Sequence, residues 1–299
     1  VFRVFGGPIT GVRGFGPSVL ATGEAFDLSV RAEDKGRNLA SGGAPAWNLM
    51  LGDKVVRKLP ASKQGISVVK GLKLSEPGVH RFRIVSADGR IQGEANPILV
   101  ETAPENRIYW GETHGHCGFA EGMGTSDDYY AFARDESRLD FVCLSEHDLW
   151  MDAWEWGDMR RVSKAFEAPG KFATFMGYEW TVEAAFGGHH NVIFRNVDAV
   201  EPANRIRHPT LPDLYRGLRK ANDPKDVLII PHAHMTGDWT INDNGMEPIV
   251  EIVSEHGTFE WFGRKYLAQG HMAGFVGARD NHIGHPGHKS LPRGPGYAD

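Results

Sequence analysis

The segment Ala25-Phe26-Asp27-Leu28-Ser29-Val30-Arg31 alternates apolar and polar positions, the period of a strand with one buried face. Similar short runs follow at Ala46–Leu51, Ile66–Val69, Val79–Val85 and Ile98–Val100. Turn signals separate them: Gly42-Gly43, Glu76-Pro77-Gly78 and Ala87-Asp88-Gly89. Residues 1–103 therefore read as an all-β, sandwich-like domain. A linker near Thr102-Ala103-Pro104-Glu105-Asn106 ends it, and the pattern of residues 104–299 is different. Short apolar runs at Ile108–Trp110, Leu139–Leu144, Phe172–Met176, Val192–Phe194, Asp226–Ile230, Ile249–Val253 and Ala273–Val276 read as strands. Between some of them lie helical patterns at Ala153–Glu167, Leu211–Asn222 and Phe259–Gln269. Thr125-Ser126-Asp127-Asp128 resembles a capping box, with Asp in place of Glu, and opens a further helix to about Arg138. This alternation predicts a parallel sheet or a β/α barrel.

The chain has 299 residues, 41% hydrophobic and 24% charged, which excludes disorder and collagen-like structure. The net charge of −5 comes without a basic stripe, so no nucleic-acid partner is expected. No apolar run is long enough for a membrane helix, so no membrane partner is expected either. The chain begins with Val1 and shows no signal peptide. A soluble protein is expected, cytoplasmic, or periplasmic or secreted if a targeting segment has been removed. Cys117 and Cys143 are the only cysteines, too few for a disulfide scaffold. Histidine is the informative residue: of 14, only His80 precedes His114. Chemistry is expected in the second part.

The polar clusters fall at strand ends. Gly111-Glu112-Thr113-His114-Gly115-His116, Ser145-Glu146-His147-Asp148, Gly177-Tyr178-Glu179-Trp180, Pro231-His232-Ala233-His234, Ser254-Glu255-His256-Gly257 and Arg279-Asp280-Asn281-His282 each follow a strand. Gly188-His189-His190-Asn191 precedes one. In a barrel, carboxyl ends form one rim, where active sites are built. His-X-His on a strand sends both imidazoles to one side, and Asp280-X-His282 has the same spacing. A mixed His and carboxylate set suits Zn, Mn or Fe rather than Ca or Mg.

These motifs, from Tyr109-Trp110-Gly111-Glu112-Thr113-His114-Gly115-His116 through Leu139-Asp140-Phe141, Glu146-His147-Asp148, Gly177-Tyr178-Glu179-Trp180, His189-His190-Asn191-Val192 and Ile230-Pro231-His232 to Asp280-Asn281-His282, appear in an order that resembles the polymerase-and-histidinol-phosphatase (PHP) superfamily. Within it the chain is similar to the DUF3604 group. The resemblance covers roughly Arg107–Gly287 and implies a distorted seven-stranded, TIM-like β/α barrel behind the β-rich domain. It also implies two or three divalent transition metals and, most often, phosphoester hydrolysis. It assigns His114, His116, Glu179 and Asp280 to a first metal. Glu179 would bridge to a second, completed by His189 or His190 and by His232. His147 and His282 would hold a third, with Glu121 a further ligand. His189 is favoured over His190 because related sequences often carry Arg in the second place. Glu146 departs from the commoner Asp, and Arg279 from the usual small residue.

Arg279 would place a fixed positive charge beside the metals, or would form an ion pair with a rim carboxylate. His234 is read as a ligand, a proton donor or a backbone-bonded loop histidine. His256 is read as a contact to the leaving group, or as a support for the ligands together with Glu255. Cys117 is read as a metal ligand or, in preference, as a buried, inert thiol. Trp150, Trp154 and Trp156 read as a sugar-stacking wall or as helix packing, and Arg160–Lys164 as a solvated helix face. His285 and His288 lie in the Gly/Pro-rich tail and read as exposed. That tail, Gly287–Asp299, stands where a barrel needs a closing helix, so a longer native chain is expected. The expected activity is metal-assisted hydrolysis of a small anionic, phosphorylated substrate. Hydrolysis of a C–N or C–O bond in an amidohydrolase-like site and an inert binding protein are the rivals. No oligomeric state follows from the sequence.

Overall fold

The computed structural model describes residues 5–198, 201–232 and 237–288. The chain divides into two compact units, Val1–Tyr109 and Trp110–Asp299. The first is all-β. Its strands are β1 (Gly11–Phe15), β2 (Val19–Ala21), β3 (Ala25–Glu33), β4 (Trp47–Leu51), β5 (Lys54–Leu59), β6 (Ile66–Lys73), β7 (Gly78–His80), β8 (Phe82–Ser86), β9 (Gln92–Glu94) and β10 (Ile98–Glu101). They form three small sheets, ordered β1-β3-β6, β2-β10-β7 and β5-β4-β8-β9. The alternation read at Ala25–Arg31 seats Phe26, Leu28 and Val30 in a core with Trp47, Leu49, Phe82, Ile84 and Ile98.

The second unit contains β11 (Gly111–Glu112), α1 (Ser126–Ala131), β12 (Phe141–Leu144), α2 (Ala153–Phe166), β13 (Ala173–Trp180), β14 (His190–Phe194), α3 (Leu211–Ala221), β15 (Val227–Pro231), β16 (Ile249–Ser254), β17 (Gly257–Thr258), α4 (Glu260–Ala268) and β18 (Gly274–Gly277). Thr125 caps α1 with the expected reciprocal bonds to Asp128, and a π-helical turn, Phe132–Glu136, extends it. Among the described residues no helix is long and apolar enough to cross a membrane.

The expected seven-stranded β/α barrel is not the fold. Five strands form one mixed sheet, β11-β12-β13-β14-β15, and three others a separate sheet, β17-β16-β18. A TIM-like barrel is a continuous ring of parallel strands. Here β14 runs antiparallel to both β13 and β15. The physical reason is the connection. Only Thr181–His189 joins β13 to β14, with a single 3₁₀ turn at Ala184–Phe186, too short for the crossover that a parallel neighbour requires. The strand expected at Ile108–Trp110 is also absent, and β11 is a two-residue pairing with β12.

Both faces of the five-stranded sheet are used. One carries Val142, Leu144, Met176, Tyr178, Val192 and Phe194 into a core completed by Met159 and Val162 of α2 and Leu211, Leu214 and Leu218 of α3. The other carries the smaller apolar group Cys143, Ile193 and Ile230, with Phe175, Leu228, Ile249 and Val276 packed on it. Side chains on one face recur every second residue. Phe175 therefore shares its face with Glu179, Ile193 with Asn191 and His189, Ile230 with His232, and Ile249 with Glu251. Gly177 lies in the Phe175 series, and a Cβ there would meet Cys143 Sγ at 2.5 Å, so this plug closes only around glycine.

Candidate metal centre

The antiparallel turn of β14 explains why one polar cluster precedes its strand. The amino end of an antiparallel strand lies at the same edge as the carboxyl ends of its neighbours. His189, before β14, thus joins Glu179 of β13 and His232 after β15, and the backbone N–H of His232 donates to the His189 carbonyl at 2.9 Å. Two loops are stitched together in the same way. Asp280 N–H donates to the His114 carbonyl (3.0 Å) and His116 N–H to the Asn281 carbonyl (2.8 Å). Between the two histidines a side chain at Gly115 would strike the Tyr129 hydroxyl at 2.5 Å.

Glu179 and Asp280 are the hubs. Glu179 Oε2 lies 3.1 Å from His114 Nε2 and 3.3 Å from both His116 Nε2 and His147 Nδ1, while Oε1 lies 2.6 Å from His189 Nδ1. Asp280 Oδ1 lies 3.2 Å from His116 Nε2 and 3.3 Å from His114 Nε2, while Oδ2 lies 2.8 Å from His232 Nε2 and 2.9 Å from His256 Nε2. Candidate ligand atoms within 4.8 Å of one another form the groups His114/His116/Glu179/Asp280, His147/Glu179/His189, His232/His256/Asp280, His116/His147/His282 and His114/His232/Glu251.

The donor set fits cations on two observations. His114 faces a carboxylate at each ring nitrogen, Glu251 at 2.9 Å from Nδ1 and Glu179 at 3.1 Å from Nε2. A neutral imidazole carries one N–H, so it is one positive charge or one proton short between two carboxylates. The second observation is that Nε2 of His147 and Nε2 of His282 are buried and make no hydrogen bond, the exposed Glu121 carboxylate approaching them at 3.7 and 3.2 Å without bonding geometry. Their rings lie against that of His116, at centroid distances of 4.5 and 4.4 Å. Buried polar atoms are ordinarily satisfied, and unpartnered imidazole nitrogens that converge are what an ion requires.

The electrostatics agree. Burial alone would raise Glu179 and Asp280, but the imidazoles around them, His147 and His114 for Glu179, His114 and His232 for Asp280, hold both carboxyls well below the usual range. Burial would lower His114, but Asp280, Glu251 and Glu179 raise it well above its ordinary value. At His147 burial wins, and the ring is pushed down to about 3, neutral and able to offer a lone pair. Asp280 also has φ 51°, a left-handed backbone that a non-glycine residue adopts only when its surroundings impose it.

A second set of groups orients the first. Glu251 sits 2.9 Å from His114 Nδ1 and 3.3 Å from His232 Nδ1. Glu146 accepts the backbone N–H groups of Cys117 (2.6 Å) and Ala120 (3.1 Å) and lies 3.5 Å from His116 Nδ1. The Thr181 hydroxyl is 2.8 Å from His147 Nδ1. His282 Nδ1–H donates to the Asp280 carbonyl at 2.8 Å. Carboxylate and carbonyl partners of this kind fix the tautomer and aim of metal-binding histidines. Glu251 went unread in the sequence, although a lone carboxylate inside the apolar run Ile249–Val253 was its signal.

The structure brings His114, His116, His147, Glu179, His189, His232, Asp280 and His282 together. It separates His190, whose ring turns to Trp180 on the other face and whose Nδ1–H donates to the Gly188 carbonyl at 3.1 Å. Adjacent residues on a strand point to opposite faces, so only one of the pair can reach Glu179. Glu121 stands at the exposed rim, 3.2 Å from His282 Nε2 and 3.7 Å from His147 Nε2. His256, read as a leaving-group contact or as a support for the ligands, lies against Asp280. Arg279 is half-buried. Its backbone N–H donates to Glu112 at 2.9 Å, and its guanidinium forms no ion pair among the described residues. His234 lies outside the described residues. Cys117 is buried, its thiol pushed up by desolvation, and it joins none of the groups. Of the three tryptophans, Trp156 is buried in the core, whereas Trp150 and Trp154 are exposed and the Trp150 ring meets that of His147 edge-on at 5.0 Å.

Residues 127–238 match the family model described as "Protein of unknown function (DUF3604)". That stretch holds His147, Glu179, His189 and His232 but not His114, His116 or Asp280. An uncharacterized protein of Chlamydia trachomatis serovar D is 21% identical over 263 residues, 84% of this chain and 41% of its own length. One of Chlamydia pneumoniae is 21% identical over 262 residues, 82% of this chain and 41% of its own length. The chain thus spans about two fifths of the length of the curated relatives it matches. Among solved structures, the CARDB domain of a Pyrococcus furiosus protein, in complex with di-metal ions, is 13% identical with a TM-score of 0.23, covering 33% of this chain and 97% of that domain.

Proposed function

We propose that the second unit is a metal-dependent hydrolase holding two or three divalent transition ions, Zn, Mn or Fe, and acting on a small anionic ester, a phosphoester before any other. One observation carries the reading: Glu179 and Asp280 each present their two oxygens to different imidazoles, the arrangement a carboxylate needs to serve two ions at once. The motif order that resembles the PHP superfamily supports it. Divalent ions bound there would act as Lewis acids and bring the pKa of a coordinated water near neutrality. The protein's own residues do the rest. Glu251 and Thr181 hold His114 and His147 in fixed tautomers, and burial keeps bulk water from competing for them. Arg279, with its guanidinium outside any ion pair among the described residues, offers its charge to an anionic oxygen.

The test is turnover of a phosphomonoester, a phosphodiester, an N-acyl substrate and a lactone, before chelation, after it, and after ions are restored. Phosphoester turnover that disappears with chelation and returns with Mn²⁺, Zn²⁺ or Fe²⁺ is the expected result. Arg279→Ala should then lose about tenfold in kcat/KM on the phosphoester, the effect of about 1.4 kcal/mol at one charged contact. Turnover confined to the uncharged substrates overturns the phosphoester assignment. No turnover by ion-loaded protein overturns the hydrolase reading and leaves a binding module.

A further inference from the structure

We infer that His256 is a metal ligand, and that with His232 and Asp280 it forms an ion site of its own at the far side of the Asp280 carboxylate. The inference rests on the metal-centre reading above and adds to it a ligand that the sequence motifs did not assign to a metal.

The observation is the division of labour on Asp280. Oδ1 faces His114 and His116, while Oδ2 faces His232 Nε2 at 2.8 Å and His256 Nε2 at 2.9 Å. The two imidazole sets thus approach different oxygens, and one ion cannot account for both. Ligand atoms of a tetrahedral zinc, each about 2.0–2.1 Å from the ion, lie about 3.3 Å from one another. The two carboxylate–imidazole separations, 2.8 and 2.9 Å, are somewhat shorter than that, and all three atoms lie within 4.8 Å of one another, so a small opening of the group would seat an ion. They are also withdrawn from solvent, with side-chain exposures of 1% for His232, 4% for Asp280 and 11% for His256.

The backbone is built for this double duty. Asp280 adopts φ 51°, and its carbonyl accepts His282 Nδ1–H while its N–H donates to the His114 carbonyl. A residue pinned on both sides in a left-handed conformation has its carboxylate direction set by the loop. His256 is brought there by the turn after β16, where its own N–H donates to Ser254 Oγ and the Glu255 N–H donates to the Arg279 carbonyl, 3.2 and 2.8 Å. The turn and the Asp280 loop are thereby joined directly.

Two imidazoles and one carboxylate oxygen select a first-row ion such as Zn²⁺ over Mg²⁺ or Ca²⁺. Three protein ligands also leave a fourth position of a tetrahedron open, whereas the His114/His116/Glu179/Asp280 group supplies all four. The His256 site is therefore the exchangeable one, and a substrate oxygen would enter there.

The experiment measures Zn²⁺ content and Zn²⁺ affinity of the full chain, wild type against His256→Ala, with circular dichroism to check the fold. The expected result is one equivalent fewer in the variant, an affinity loss at that site of more than about a hundredfold, and the remaining ions unchanged. A loss of that size exceeds the 10–100-fold typical when only an orienting partner is removed. His256→Asp, which keeps one ligand oxygen, should restore the equivalent and alter the visible spectrum of Co²⁺-substituted protein, and it serves if the alanine variant does not fold. Unchanged stoichiometry and affinity in folded His256→Ala would overturn the assignment and leave His256 as a hydrogen-bond donor to Asp280. Wild type that binds no ion would instead overturn the metal-centre reading itself.

Discussion

In the N-terminal unit, Arg31 and Glu33 are buried next to one another on β3. The guanidinium meets the carboxylate at 2.6 Å, and it stacks over Phe15 at 5.0 Å. Opposite charges cancel there without outside help. Among the described residues of the C-terminal unit, Glu112, Glu146, Asp148, Glu179, Glu247, Glu251 and Asp280 are all buried, and no lysine or arginine is buried with them. Glu112, Glu146 and Asp148 are held by backbone N–H groups, and the partners of Glu179, Glu251 and Asp280 are imidazoles, which carry charge only when protonated. A buried carboxylate left uncompensated is costly, so the first unit is complete as a polypeptide while the second needs cations or protons to balance its interior. The difference separates charge buried for architecture from charge buried to receive something.

The largest break in that comparison should come from Glu179→Gln. Glutamine has nearly the shape of glutamate but is a poor ligand and cannot serve two ions. We expect loss of at least one metal equivalent and a drop in activity beyond about a hundredfold, above the effect of removing an orienting partner. Glu255→Gln, beside His282 at 3.2 Å, should stay within about a hundredfold and keep every metal equivalent. Elemental analysis and kinetics on both variants decide it, and equal losses would show that Glu179 is no hub.

That hub was legible before the fold was. Metal chemistry needs particular residue types at strand ends, and those are written in the motifs around His114, Glu179 and Asp280. The start of α1 was legible too, because caps are local: Thr125 and Asp128 bond reciprocally there. Strand direction was not, since a short apolar run such as Val192–Phe194 reads the same either way. The length of the connection before it held the only clue. Glu251 was missed for a related reason. Its partners, His114 and His232, are distant in sequence, and nothing local to Ile249–Val253 names them. The choice between His189 and His190 needed the register of β14 against Glu179, which pairing with β13 supplies.

A smaller effect is expected from Arg31→Met. Methionine keeps much of the arginine stem's volume but leaves Glu33, among the described residues, with only the half-exposed Arg13 as a charged partner, 3.6 Å away. Loss of a charged hydrogen bond of this kind costs about 2 kcal/mol. The sharper expectation is its independence from metals. The variant should lower the N-terminal unit's unfolding midpoint equally with and without chelator, whereas chelation of wild type should destabilise only the C-terminal unit. Differential scanning calorimetry on all four samples tests this, and a chelator-dependent shift in the Arg31 variant would erase the proposed contrast.

The smallest effect concerns a buried carboxyl that uses neither an arginine nor an ion. Glu247 is fully buried, accepts hydrogen bonds from the Tyr215 hydroxyl and from Asn242 Nδ2, the latter at 2.9 Å, and stands apart from the ion-binding groups. Burial pushes its carboxyl up to about 8, outweighing the hydrogen bonds from Tyr215 and Asn242 that favour the ionised form. The folded chain therefore keeps this proton at neutral pH, while the unfolded chain has lost it above an ordinary value of 4.5. The folded state binds more protons, so this contribution is intact below pH 4.5 and is lost as pH rises toward about 8. Its slope cannot exceed about 1.4 kcal/mol per pH unit. Glu247→Gln has no proton to lose. Between pH 6 and pH 8 its stability should fall less steeply than that of wild type, by about 1 kcal/mol per pH unit. Urea titrations of metal-loaded protein across that range give both slopes. Parallel curves would mean that Glu247 is ionised in the folded chain and that the C-terminal unit neutralises it as the N-terminal unit neutralises Glu33, with a fixed partner.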